Sequence, residues 1–465
     1  KNGKANAVRF DKNLQAGGTI TISNEEADIE VKDGTIMEAR NVSLIAKNNA
    51  VKVNGGTVKA AENVNADASD IIMSGGTLIS GTKTTLTAGN AINQTAGSLI
   101  AKNTVAKATR GNVNLESRTN KLQDVSINAK NGSATIVNAN DADGDLNVTT
   151  VGKVANDLTI TNLKNGKANA VRFDKNLQVG GDITITNEEA DIEVANGTTM
   201  EAQHISLTAK DNNVKFTGGT VTANKDLTAN AQNVNVTNGT LKATNKVLFK
   251  AGKIVSLQGD KISAKTIRVE AEKLAVSGGM INASVVEATK ALEITGGTIQ
   301  TGSGAGQVSA DSISMSNGMM GGNDLLIKSN KDINQKGGQI SAAKVTLDAG
   351  NTINQTAGSI LAKDTTVKAG KDINLESTTN KLQNVRVDAK NGSATVVNAN
   401  DADGDLNITT VGKVANDLTI TNLKNGKANA VRFDKNLQAG GTIAVTNEEA
   451  DIEVANGTTM EAQHI

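Results

Sequence analysis

Gly219, Gly239, Gly259 and Gly279 stand 20 residues apart, and Gly297, Gly318, Gly338 and Gly358 continue the series with small slips. Gly56, Gly76 and Gly97 keep the same interval nearer the start. A fixed period of this size marks a chain that stacks one small structural unit on the next. Such a chain has no central globular core to hold an active-site cleft, so function is to be sought along its lateral surface.

The content of one period sets the element type. After Gly219 the apolar positions are Val221, Ala223, Leu227, Ala229, Ala231, Val234 and Val236, and the next period repeats them as Leu241, Ala243, Val247, Phe249, Ala251 and Ile254. Within each short run the alternation has period two, which lines one face of a strand; helical spacings of three and four do not dominate. A coil of about three short strands cannot bury its own apolar face, whereas stacking at roughly 4.8 Å encloses a continuous core. The expected fold is all-β, a right-handed parallel β-helix (β-solenoid) with coils of about 20 residues, roughly 23 of them. Gly and Asn fall where the turns require positive φ. Ile333, Ile353 and Ile373 form an in-register ladder, as do Asn334, Asn354 and Asn374. Strand alternation places the Ile ladder inside and the Asn ladder outside.

Composition removes several function classes. The 48 basic and 48 acidic residues balance, and no run of either sign stands out. A nucleic-acid groove or an anionic-membrane face needs clustered Lys and Arg, so no nucleic-acid partner is expected. No apolar stretch nears the length of about 18 residues required for a membrane-spanning helix, so no membrane insertion is expected. Aromatic residues make up 1% of the chain, too few for base- or sugar-stacking platforms. Pro is absent, as suits a backbone whose N–H groups are engaged in ladders. Cys is absent too, which fits either a reducing compartment or export of an unfolded chain through a pore.

A longer repeat overlies the short one. The opening segment KNGKANAVRFDKNLQ returns from Lys164 and again from Lys424, and residues 350–465 closely copy 89–205. The chain is read as one continuous array over 1–465, a window cut from something longer. Segments 114–163 and 374–423 lose the glycine beat and are expected to form irregular coils with longer loops, where any specialisation is to be sought.

Chemistry-bearing motifs are sparse. His204 and His464 sit in two copies of Met-Glu-Ala-Gln-His-Ile without a second His or Cys nearby, and read as exposed turn residues. Asp141, Asp143 and Asp145, repeated as Asp401, Asp403 and Asp405, are the best metal candidates, because Asn-Asp-Ala-Asp-Gly-Asp resembles a calcium loop. Aligning Gly144 with the required glycine of such a loop puts Ala139 at the first ligand position and Thr150 where Glu belongs. A carboxylate-rich turn is therefore favoured over a weak surface calcium site. The thrice-repeated pair Glu25 and Glu26, Glu188 and Glu189, Glu448 and Glu449 reads as a solvated turn. No catalytic residue and no cofactor is assigned, and a carbohydrate-active β-helix enzyme is the least favoured reading.

Runs such as AGNAINQTAGSLIAKN (88–103) and AGKDINLEST (369–378) resemble the repeats of filamentous-haemagglutinin-like exoproteins of Gram-negative bacteria. The resemblance implies a long β-helical shaft, secreted or displayed on the cell surface and exported by a dedicated outer-membrane secretion partner (two-partner secretion). It further implies an adhesin that meets a host or bacterial surface ligand. The alternative is a self-assembling extracellular fibre joined through its solenoid ends, whose strand edges are unpaired.

Overall fold

The structure is a computed structural model that describes residues 6–139, 141–399, 403–410 and 412–465. The described residues form strands, turns and bends without a helix. Coils average about 21 residues, not 20, so the chain holds about 21 of them. The backbone clusters into two compact units, Lys1–Ala243 and Thr244–Ile465. Each is a solenoid of parallel strands.

In the first unit three apolar stacks define the coil. Val113, Ala134, Leu158, Ile183, Ile205 and Leu227 are successive register partners on one face. Leu146, Val171, Ile192, Val214 and Val234 line a second. Leu177, Met200, Val221 and Leu241 line the third. All are fully or almost fully buried, so each rung closes the apolar face that its neighbours leave open.

The second unit follows the same plan. Val247, Ile267, Val286, Val308, Ile327, Leu347, Val367 and Val387 form one unbroken stack. Ile262, Ile281, Ile299, Met320, Ile340 and Ile360 form another. Ile333, Ile353 and Ile373 are register partners in the third, and all three are buried. Their neighbours Asn334, Asn354 and Asn374 face outward and bond as a ladder, each Nδ2 donating to the preceding Oδ1 at 3.2 and 2.8 Å. Both ladders lie where the alternation placed them.

Corners are built from glycine columns and buried amides. Gly318, Gly338 and Gly358 have φ of 94°, 71° and 81°, and a Cβ on Gly338 would lie 2.4 Å from the Gly318 carbonyl oxygen. Not every glycine of the period plays this part. Positive φ falls on Gly55, Gly218 and Asn238 rather than on Gly56, Gly219 and Gly239. Gly56 and Gly219 are small for another reason: a Cβ would lie 2.4 and 2.9 Å from the carbonyls of Lys32 and Ala195. A buried amide ladder fixes one corner of each unit, Asn138 to Asn162 to Asn187 at 2.8 and 3.1 Å, and Asn398 to Asn422 to Asn447 at the same distances.

Coil length varies with position. Register partners are 18 residues apart at Lys273 and Ala291 but 25 apart at Leu158 and Ile183. The long coils leave room for loops on the outer surface.

Candidate functional site

The carboxylates proposed as metal ligands are engaged separately. Asp141 meets Lys121 at 2.5 Å, Asp143 meets Lys167 at 2.6 Å, and Asp145 meets Arg172 at 2.7 Å while accepting the Ala170 N–H at 2.8 Å. In the second unit Asp403 meets Lys427 at 2.5 Å and Asp405 meets Arg432 at 2.7 Å. Asp401 lies outside the described residues. The lysine hydrogen bonds hold the Asp143 and Asp403 carboxyls below the usual range. Among the described residues no three His, Cys, Asp or Glu side chains are grouped to hold a metal ion. The geometry is that of a carboxylate-rich turn, tied in the first unit by Lys121 to the coil before it and by Lys167 and Arg172 to the coil after it.

The other motifs also take definite places. His204 lies in the strand Thr199–Ala209 and not in a turn; its Nδ1 is 3.2 Å from Asp226 Oδ2. The repeated Glu pairs hold a neighbouring loop. Glu188 accepts the Lys164 N–H at 2.9 Å, and Glu189 accepts those of Asn165 and Gly166 at 3.1 and 2.9 Å. Glu448 and Glu449 do the same for Lys424 and Gly426.

Sequence reasoning did not find the concave feature that recurs in both units. In the first unit a groove of about 270 Å³ is lined by Lys83, Asn103, Asp124, Ser126, Asn147, Thr149, Asp174 and Lys175. In the second a groove of about 230 Å³ is lined by Asp364, Asn384, Arg386, Asn407, Thr409, Asp434 and Lys435. Each floor is the outward face of consecutive strands, Lys121–Ala129 beside Leu146–Val154 and Lys381–Ala389 beside Leu406–Thr410.

Each lip is a tight loop, residues 174–176 or 434–436, that follows a strand anchored by a fully buried Phe, Phe173 or Phe433. Hydroxyls of Thr149 and Thr150 donate to the Asn176 carbonyl at 3.3 Å, and the Asn176 side chain accepts the Thr199 N–H at 3.0 Å. Thr409, Thr410 and Thr459 hold Asn436 in the same way. The lip is fixed to the floor before any ligand arrives.

The two floors differ chemically. Asp124, Ser126 and Asn128 of the first strand become Asn384, Arg386 and Asp388 in the second, although the surrounding copies are nearly identical. An amide–carboxylate ladder runs through both, Asn147 donating to Asp124 at 2.8 Å in one and Asn384 donating to Asp364 at 2.9 Å in the other. Burial pushes the Asp388 carboxyl up, against the pull of Lys368 and Lys390. The signal available in sequence was this local divergence, QDVSINA against QNVRVDA, within otherwise matching blocks.

The family model described as Hemagglutinin repeat matches residues 217–357. No curated protein and no solved structure matches the chain. That match and the stacked coils together fit a filamentous-haemagglutinin-like shaft.

Proposed function

We propose that this filamentous-haemagglutinin-like solenoid is the shaft of a secreted or surface-displayed bacterial adhesin. It is non-catalytic and carries binding regions away from the cell. Export by a two-partner route through an outer-membrane secretion partner, from a Gram-negative cell, belongs to the same proposal. The observation that carries it is the Hemagglutinin repeat match over residues 217–357, set within in-register apolar stacks. That family is structural and adhesive, not enzymatic. A stack closed rung by rung suits a load-bearing element, because every coil presents the same backbone ladder to the next. The twin grooves are the natural places for contact with a host or bacterial surface ligand, being concave, polar and fixed by buried anchors.

The test is labelling of producing cells with antibody raised against this chain. Gold particles on intact cells, held away from the outer membrane, are expected. Label that appears only after permeabilisation would refute display.

A further inference from the structure

The groove of the second unit holds a cation with no partner. Arg386 is exposed on the strand Lys381–Ala389, and its guanidinium makes no ion pair or hydrogen bond among the described residues. Most other exposed arginines are matched, Arg172 with Asp145, Arg268 with Glu270 and Glu287, Arg432 with Asp405, and Arg118, which shares the lack of a partner, lines neither groove. In the first unit the same position is Ser126, and two residues earlier on the same strand stands Asp124 where the second unit has Asn384.

We propose that the second groove binds a carboxylate-bearing, polyhydroxylated ligand, the chemistry of a uronic acid, through Arg386, and that the first groove does not. A planar guanidinium presents paired N–H donors that match a carboxylate. A doubly charged phosphate or sulfate-rich group fits less well, because Asp364 and Asp434 also line this groove. The remaining lining suits hydroxyl groups. Asp364 and Asp434 accept, Thr409 donates or accepts, and the Asn384 and Asn407 amides add both functions. Lys435 on the lip supplies a second cation at the groove mouth. The apolar members, Val385 and Ile408, have their side chains in the core, so the groove offers no apolar subsite for a peptide side chain. This inference goes beyond the shaft role and stands whether or not the chain is displayed on a cell.

Titration calorimetry of the whole chain with D-glucuronate, with D-glucose and with N-acetyl-L-glutamate tests it. Glucuronate should bind at one site per chain, and Arg386→Ser should weaken it by about 10- to 100-fold, the size of a lost charge-assisted hydrogen-bond pair. Because Arg386 is exposed, the melting temperature of that variant should not move. The double variant Asp124→Asn, Ser126→Arg should add a second site in the first unit. Equal binding of glucose, or binding unchanged by Arg386→Ser, overturns the role of the guanidinium. Preference for N-acetyl-L-glutamate overturns the sugar-acid assignment in favour of a peptide carboxylate.

Discussion

Asn380 offers the sharpest test of what holds a coil corner together. It is fully buried, and its side chain joins three rungs. Its Oδ1 accepts from Gln355 Nε2 and from the Ile360 N–H, both at 2.8 Å. Its Nδ2 donates to Gln355 Oε1 at 2.7 Å and to the Val397 carbonyl at 3.1 Å. Asn380→Ala removes all of these. At about 1 kcal/mol net per bond the loss is about 4 kcal/mol, and stranding the buried Ile360 N–H adds about 1–2 kcal/mol. A total of about 5–6 kcal/mol lies at the far end of single-substitution effects. Since coils open locally, the readout is native-state hydrogen exchange at Ile360 and its neighbours, with a urea melt alongside. A double-mutant cycle with Gln355→Leu and Asn380→Leu should show strong coupling, because removing both partners leaves fewer orphaned groups than removing one. A change below about 1 kcal/mol at Ile360 would refute the reasoning. Asn120, which pairs with Gln94 and the Leu99 N–H in the first unit, should behave alike.

Three further outcomes follow from the same structure. Gly338→Ala forces a side chain into positive φ and 2.4 Å from a carbonyl oxygen; a loss above about 2 kcal/mol in a denaturant melt is expected, and a neutral result would show that the column can spread. Asp388→Asn, which installs the residue found at Asn128, should stabilise the second unit at neutral pH, since burial raises the folded carboxyl above its unfolded value. The gain should disappear as pH falls below about 4, where the unfolded carboxyl is also protonated, and a gain that persists there would have another cause. Burial acts to raise the Asp191 carboxyl, but hydrogen bonds from Lys215 and Asn213 outweigh it and leave it lowered. Its contribution is therefore present above the unfolded value and is lost in acid, so Asp191→Asn should flatten the acid limb of a stability–pH curve measured below about pH 4.

The periodic part of the fold was readable because a stacked rung repeats its side chains. Ile333, Ile353 and Ile373 advertise both the coil length and the buried face, and the outward Asn ladder follows from strand alternation. The turn chemistry was legible only to within a residue. Gly218 and Gly219 are adjacent, and which of them takes positive φ depends on how the coil below presents the Ala195 carbonyl. His204 was misplaced for a related reason: a lone polar residue between apolar ones is compatible with a turn until its partner Asp226, one coil away, is known. The grooves were not legible. Their walls meet across several coils, with Lys83 and Lys175 lining one concavity despite their separation along the chain. Only a loop folded back over earlier rungs brings such residues together. Arg386 carried no motif, and its meaning depends on the lack of a partner.

The matching rungs at 158–205 and 418–465 bear on how such a protein can change size. Leu158 lies on Ile183 and Val171 on Ile192, as Leu418 lies on Ile443 and Val431 on Ile452. A genetic exchange between these segments inserts or deletes a whole block while every ladder at the junction meets the partner it already had. Reach can thus be lengthened or shortened in large steps without a new interface having to evolve, and each step carries one groove with it.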